Sequence, residues 1–210
     1  MGKAELNKRH KRAALMESAY ELFTTKGFYD TTIRDISHNA GVAKGTFYLY
    51  FKDKVDIRDA VIRSTASRML QEACTSMDEH IKAAGADMDA ADMFIYTINY
   101  LIEAVSVDPQ LVDFLSKNLS WGLFYDNAAV TSTSSDPESE PFNFVTYVTG
   151  RLDEAGFRIR DLKLLIFSLL ELISSSCHDV ILYQQPVTLE EYKPYLYNSI
   201  RLLVNASIEN

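Results

Sequence analysis

Residues 32–51 read TIRDISHNAGVAKGTFYLYF, and the fold is decided by how this stretch is read. Thr32 is a good helix cap with Asp35 three residues on, so a short helix is expected to start there. Ile33, Ile36 and Ala40 share one face of it, and Gly41 ends it. After a two-residue link, 44–51 forms another short helix. Two short helices joined at a glycine have the spacing of a helix-turn-helix. In that motif the second helix lies in the DNA major groove and the first crosses the phosphate backbone. Phe47 and Phe51, four apart, can anchor the second helix on a core together with Val42. Lys44, Thr46, Tyr48 and Tyr50 are left as one cation and three hydroxyls free to reach phosphates or base edges. Gly45 is a poor helix former, but its missing side chain permits a close backbone approach. Aromatic residues at this spacing also mark ordinary core helices, so the pattern alone leaves both readings open.

Charge sharpens the choice once it is divided by position. The 210 residues include 21 Lys+Arg and 29 Asp+Glu, a formal net charge of -8 at pH 7. Spread evenly, such a balance would argue against nucleic acid, because phosphate binding needs positive charge at the contact surface. Residues 1–55, however, hold 10 basic and 6 acidic residues, a net of +4, which leaves −12 for the remainder. A basic N-terminal quarter on an acidic body fits a nucleic-acid-binding module, and also fits a solvated charged N-terminus. Lys8, Arg9, Lys11 and Arg12 read either as an arm reaching phosphates or the minor groove, or as a solvated basic tail.

Other classes are narrowed quickly. At 47% apolar residues the chain is globular rather than disordered. The longest stretch without Asp, Glu, Lys or Arg is ten residues, against the roughly 20 needed to span a bilayer. The charged N-terminus does not resemble a signal peptide, so a cytoplasmic location and no membrane partner are expected. Cys74 and Cys177 are isolated and read as small buried apolar residues, with no disulfide framework or zinc ribbon. No nucleophile elbow, Walker A loop, dinucleotide fingerprint or zinc-protease helix occurs, and the 4 His are scattered. An enzyme, a metal site and a cofactor are therefore not expected.

Outward from the motif, helical spacing dominates and the fold class is all-α. Leu15, Ala19, Leu22 and Phe23 fall on one helix face before a stop at Gly27. Asp53, followed by Asp56, caps a long helix to about residue 83. Further helices are expected over 90–107, from Pro109 to about 125, over 142–155 with a stop at Gly156, over 161–185, and over 189–207. Residues 126–141, rich in Ser, Thr, Asp and Pro, read as a loop.

At this point the resemblance becomes specific. Residues 27–54, GFYDTTIRDISHNAGVAKGTFYLYFKDK, resemble the N-terminal DNA-binding domain of the TetR/AcrR family of transcriptional regulators, and the match covers about residues 9–60. The resemblance implies a helical homodimer that binds a double-stranded operator and is released by a small effector. It implies a helix-turn-helix domain over 1–52 and an effector-binding and dimerisation domain over 53–210. Carried over by position, Thr32 caps and reaches a phosphate, Lys44 meets a base or the backbone, and Gly45 and Thr46 lie along the phosphates. Tyr48 and Tyr50 donate hydroxyls to phosphates, Lys54 adds a cation, and Leu49 either faces a thymine methyl or is simply exposed. Two positions depart from the family pattern. Ser37 stands where Ala is frequent, and Ala43 where a capping Ser is frequent, a cap worth roughly 1 kcal/mol.

The acidic remainder offers only an inventory for a pocket. Ile98, Leu101, Ile102 and Val105 form one stripe, read as core. Met93, Tyr96 and Tyr100 form a second that can line a cavity for a small, largely apolar or aromatic effector. Trp121, Phe124, Tyr125, Phe144, Tyr147 and His178 complete the candidate lining, although these aromatics can equally be core. The helix from Asp161 is apolar on two sides, with Leu162, Leu165, Ile166, Leu169 and Ile173 on one and Leu164 and Phe167 on another, so it must be buried on two sides. The family resemblance implies that the last two helices pair with their copies in a homodimer.

Overall fold

The computed structural model describes residues 2–84, 88–116 and 142–209. Among them are nine α-helices and no strand: α1 Lys3–Thr25, α2 Ile33–Asn39, α3 Lys44–Phe47, α4 Lys54–Ala84, α5 Ala90–Ser106, α6 Pro109–Ser116, α7 Phe144–Glu154, α8 Leu162–Tyr183 and α9 Leu189–Ser207. The expected helices are present where the chain is described. The continuation of α6 to about residue 125 and the loop at 126–141 lie outside the described residues.

The ends of the helices follow from local chemistry. Thr32 and Asp35 form a reciprocal capping box on α2, with Thr32 Oγ1 accepting from the Asp35 amide at 3.1 Å and Asp35 Oδ2 accepting from the Thr32 amide at 3.0 Å. At the other end Gly41 takes φ 66°, and the amides of Gly41 and Val42 donate to His38 and Ser37 carbonyls. That pairing satisfies the last carbonyls of α2, and the left-handed conformation requires glycine there. Asp53 Oδ1 accepts from the amides of Val55 and Asp56 and so starts α4. α3 is shorter than the expected 44–51. Its turn continues as tighter bonds, Leu49 to Thr46 and Tyr50 to Phe47, before Phe51 bonds back to Phe47.

Two hydrophobic clusters organise the chain. One joins Leu15, Ala19 and Phe23 of α1 to Ile36, Phe47, Phe51, the first half of α4, and Leu111, Phe114 and Leu115 of α6. The other gathers α5, α7, α8 and α9 around Ile98, Ile102, Phe144, Leu169 and Ile200. α6 touches both sides: Phe114 stacks on Phe23 at 5.9 Å, and Val112 and Leu115 face α5 and α8. Polar contacts fasten α9 along α5, with Lys193 on Glu103, Tyr197 on Asn99, and Arg201 on Asp89 and Asp92. Among the described residues, α8 alone is long and apolar enough to cross a membrane by length and composition. It nevertheless carries Lys163 and Glu171, and Leu165, Ile166, Leu169 and Cys177 are buried in the second cluster. Leu164 and Phe167 are exposed on its other side, so within this chain the expected burial on two sides is met on one side only.

Candidate nucleic-acid interface and effector cavity

The helix-turn-helix is held from beneath by a dry wall. Phe47 is fully buried, its ring 5.8 Å from that of Phe51, and Ile36 of α2 is fully buried beside it. Ser18 Oγ of α1 donates to the Ile36 carbonyl at 2.9 Å, which locks α2 onto α1. Ser37, the first departure from the family pattern, is buried and donates to the Ile33 carbonyl at 2.8 Å, so it leaves no unpaired group. Ala43, the second, leaves α3 without a side-chain cap.

With its inner face anchored, α3 turns its other side chains outward. Lys44, Gly45, Tyr48 and Leu49 are exposed, and Thr46 and Tyr50 are half-buried. Leu49 is 75% exposed, an apolar side chain that the protein itself does not cover. A Cβ placed on Gly45 would meet nothing within 4 Å, so its bare backbone faces open space rather than another helix. Thr32 is exposed at the start of α2 beside Asp35. The Lys26 ammonium, 2.9 Å from Asp35, and the Thr32 backbone and hydroxyl bonds hold the Asp35 carboxyl down at about 2. The cap therefore stays charged down to strongly acidic pH.

Lys54 is placed differently from the other candidates. Its ammonium donates to the carbonyls of Phe28 at 2.7 Å and Thr31 at 2.9 Å, and lies 4.3 Å over the Phe28 ring. It braces the loop between α1 and α2 against the start of α4. Sequence spacing identified the cation but not these acceptors, because they come from 23 to 26 residues away.

The candidate effector residues do not converge. Met93 and Phe144 border a void of about 10 Å³ between α4, α5 and α7. Tyr96 bonds Ser76 and stacks on His80. Tyr100 borders an open groove along α4 with Arg68 and Glu72. Tyr147 donates to Asp78, which also pairs with Arg151 at 2.7 Å, and desolvation together with that carboxylate raises its phenol pKa. Trp121, Phe124 and Tyr125 lie outside the described residues. His178 alone of the described candidates borders a larger apolar cavity of about 90 Å³ between α5, α6 and α8. Ile98, Leu101, Ile102 and Val105 form its α5 wall, with Cys177 and Ser174 on α8. The stripe read as core thus lines the cavity, while Met93, Tyr96 and Tyr100 face α4 or its groove. Periodicity distinguishes the faces of a helix but not which neighbour covers each one.

Residues 15–61 match the family profile described as bacterial regulatory proteins, tetR family. This N-terminal segment is therefore similar to the DNA-binding domain of TetR-family regulators. The matched segment runs from Leu15, the first core residue of α1, to Val61 on α4, and so contains the whole helix-turn-helix. Among curated relatives, the fatty acid metabolism regulator protein of Bacillus subtilis is 33% identical over 75 residues, 36% of this chain and 37% of that protein. The HTH-type transcriptional regulator EthR of Mycolicibacterium smegmatis is 30% identical over 81 residues, 39% of this chain and 36% of that protein. The chain therefore matches little more than a third of the length of either relative. Over the whole chain the likeness is one of fold. The solved structure of Thermus thermophilus FadR, a TetR family transcriptional repressor in complex with lauroyl-CoA, aligns with a TM-score of 0.60 at 20% identity, covering 95% of this chain and 96% of that one.

Proposed function

We propose that this chain is a cytoplasmic, dimeric, ligand-responsive DNA-binding regulator of the TetR family, and specifically a repressor that a small effector releases from a palindromic operator. The observation that carries this reading is the outward face of α3. Lys44, the open backbone at Gly45, Tyr48 and the 75% exposed Leu49 project from a helix whose opposite face is anchored by a fully buried Phe47. Thr32, Thr46 and Tyr50 extend that face with hydroxyls. Lys54 supports the same surface from behind, through the loop it braces. The division of labour follows the charge, with DNA contact in residues 1–52 and effector binding and dimerisation in 53–210.

The homodimer reading rests on exposed apolar surface. Leu164 on α8, and Tyr195, Leu202 and Leu203 on α9, are exposed large side chains on the last two helices. Pairing with a second copy removes that area from water.

For the effector, the α5–α6–α8 cavity supports a small apolar or aromatic molecule with one polar group near His178. Its volume is below the roughly 300–1,000 Å³ of most ligand pockets, so a drug-sized molecule has to spread the three helices. α6 then moves against α1 and α4, which couples occupancy to the position of α3. An effector acts only through its differential affinity for the two positions.

The test starts with a duplex selected from a randomised pool by the full-length protein. Binding that is salt-dependent and at least tenfold tighter than to a scrambled duplex is expected; equal binding to both contradicts the reading. A thermal-shift panel of apolar and aromatic compounds, lauroyl-CoA included, then probes the cavity. At least one compound is expected to raise the Tm of the wild type and weaken its DNA binding. Ser174→Leu, which fills the cavity wall, is expected to abolish both effects while retaining DNA binding. A panel without a stabilising compound, or a full response in Ser174→Leu, contradicts control through this cavity.

A further inference from the structure

α1 is longer than its packing requires. Its first fully buried side chain is Leu15, so residues 3–14 form about three turns, roughly 18 Å of helix, that lead into the core from outside. Between residues 4 and 14 the segment carries Lys8, Arg9, Lys11 and Arg12 against the single carboxylate of Glu5. Lys8, Arg9 and Lys11 are exposed, and among the described residues none of them has an ion-pair partner.

Arg12 fixes where this segment lies. Its guanidinium is 5.3 Å over the ring of Phe51, and its Nη1 donates to Met16 Sδ at 3.2 Å. Arg63 and Asp56 of α4 also act on it electrostatically. Phe51 closes the turn that follows α3, so α1 passes the α3–α4 corner at Arg12 and its outer turns lie beyond that corner. Residues three and four positions earlier share the face of Arg12. Arg9 and Lys8 therefore stand one turn farther out on the side of that corner, where Lys52 is exposed. Glu5 is a further turn out on the same face.

We propose that this N-terminal segment of α1 is a second DNA contact, a preformed basic helix whose Lys8 and Arg9 engage backbone phosphates flanking those under α3. The inference rests on the reading of α3 as the recognition helix. Phosphates recur about every 3.4 Å along each strand, so a helix in this position meets the backbone whatever the flanking sequence. The segment is already helical, so little ordering entropy opposes the contact, in contrast to a flexible tail. Its function is to lengthen the site and raise affinity without adding sequence information.

The experiment compares full-length wild type with Lys8→Gln/Arg9→Gln, whose glutamines preserve helix propensity. Two duplexes are used, a minimal core selected by the wild type and the same core with six base pairs added on each side. The wild type is expected to prefer the longer duplex about tenfold, and the variant to bind both alike. The slope of log affinity against log salt on the longer duplex is expected to fall by about 4 for a dimer, at close to 0.9 per lost phosphate contact. Lys8→Arg/Arg9→Lys restores both. A variant with the wild-type slope and length preference overturns the proposal while leaving α3 untouched. Failure of the wild type to bind either duplex instead overturns the reading on which the proposal rests.

Discussion

Phe47→Ala is expected to destabilise the N-terminal unit by about 3–5 kcal/mol, the range for removing a fully buried aromatic side chain. Phe47 has no exposed surface, and its ring contacts those of Tyr48 and Phe51 at 5.4 and 5.8 Å. α3 spans only four residues and has no side-chain cap, so it is far too short to hold together without packing. Losing Phe47 opens a cavity beneath the helix and frees the face that carries Lys44 and Tyr48. DNA binding is therefore expected to fall with stability. Leu49→Ala, two residues away but exposed, is expected to change stability by less than about 0.5 kcal/mol. Urea denaturation followed by circular dichroism checks the pair. A loss below about 1 kcal/mol for Phe47→Ala would mean that α3 is not anchored through this ring.

The second large effect is on binding without loss of fold. Lys44→Ala is expected to cost about 1–3 kcal/mol of operator affinity, tenfold or more, if Lys44 meets a base edge or a phosphate at the start of α3. Tyr48→Phe removes one hydroxyl and is expected to cost about 1 kcal/mol. Both side chains are exposed, so melting temperature and the dimer seen by sedimentation are expected to stay unchanged. Fluorescence anisotropy with the selected duplex measures the loss. Affinity equal to the wild type for both variants would remove them from the interface.

How far the sequence alone carried depended on the range of each interaction. The α2 cap, its glycine stop and the Asp53 start of α4 were legible because each is made within five residues. The anchoring pair Phe47 and Phe51 was legible for the same reason, since helical spacing places them on one face. The role of Lys54 was not, because its carbonyl acceptors belong to a loop that only tertiary packing brings near. Which stripe of α5 lines the apolar cavity was not legible in the sequence. Both stripes of α5 were identified, but a stripe does not state whether α4 or α6 and α8 will cover it. His178 was named as candidate lining, without any sign that α6 lies opposite. The net charge of -8 was misleading until it was divided by position. The net +4 of residues 1–55 lies on the segment that holds the helix-turn-helix and the outer turns of α1.

The most direct test of the central claim, that α3 reads DNA in a symmetric dimer, is a hydroxyl-radical footprint of the full-length protein on its selected duplex. The account predicts two protected segments on one side of the duplex, their centres about one helical turn apart (roughly 34–36 Å) or somewhat more, and both lost in Lys44→Ala. A single protected segment, or a footprint that Lys44→Ala leaves intact, would contradict it.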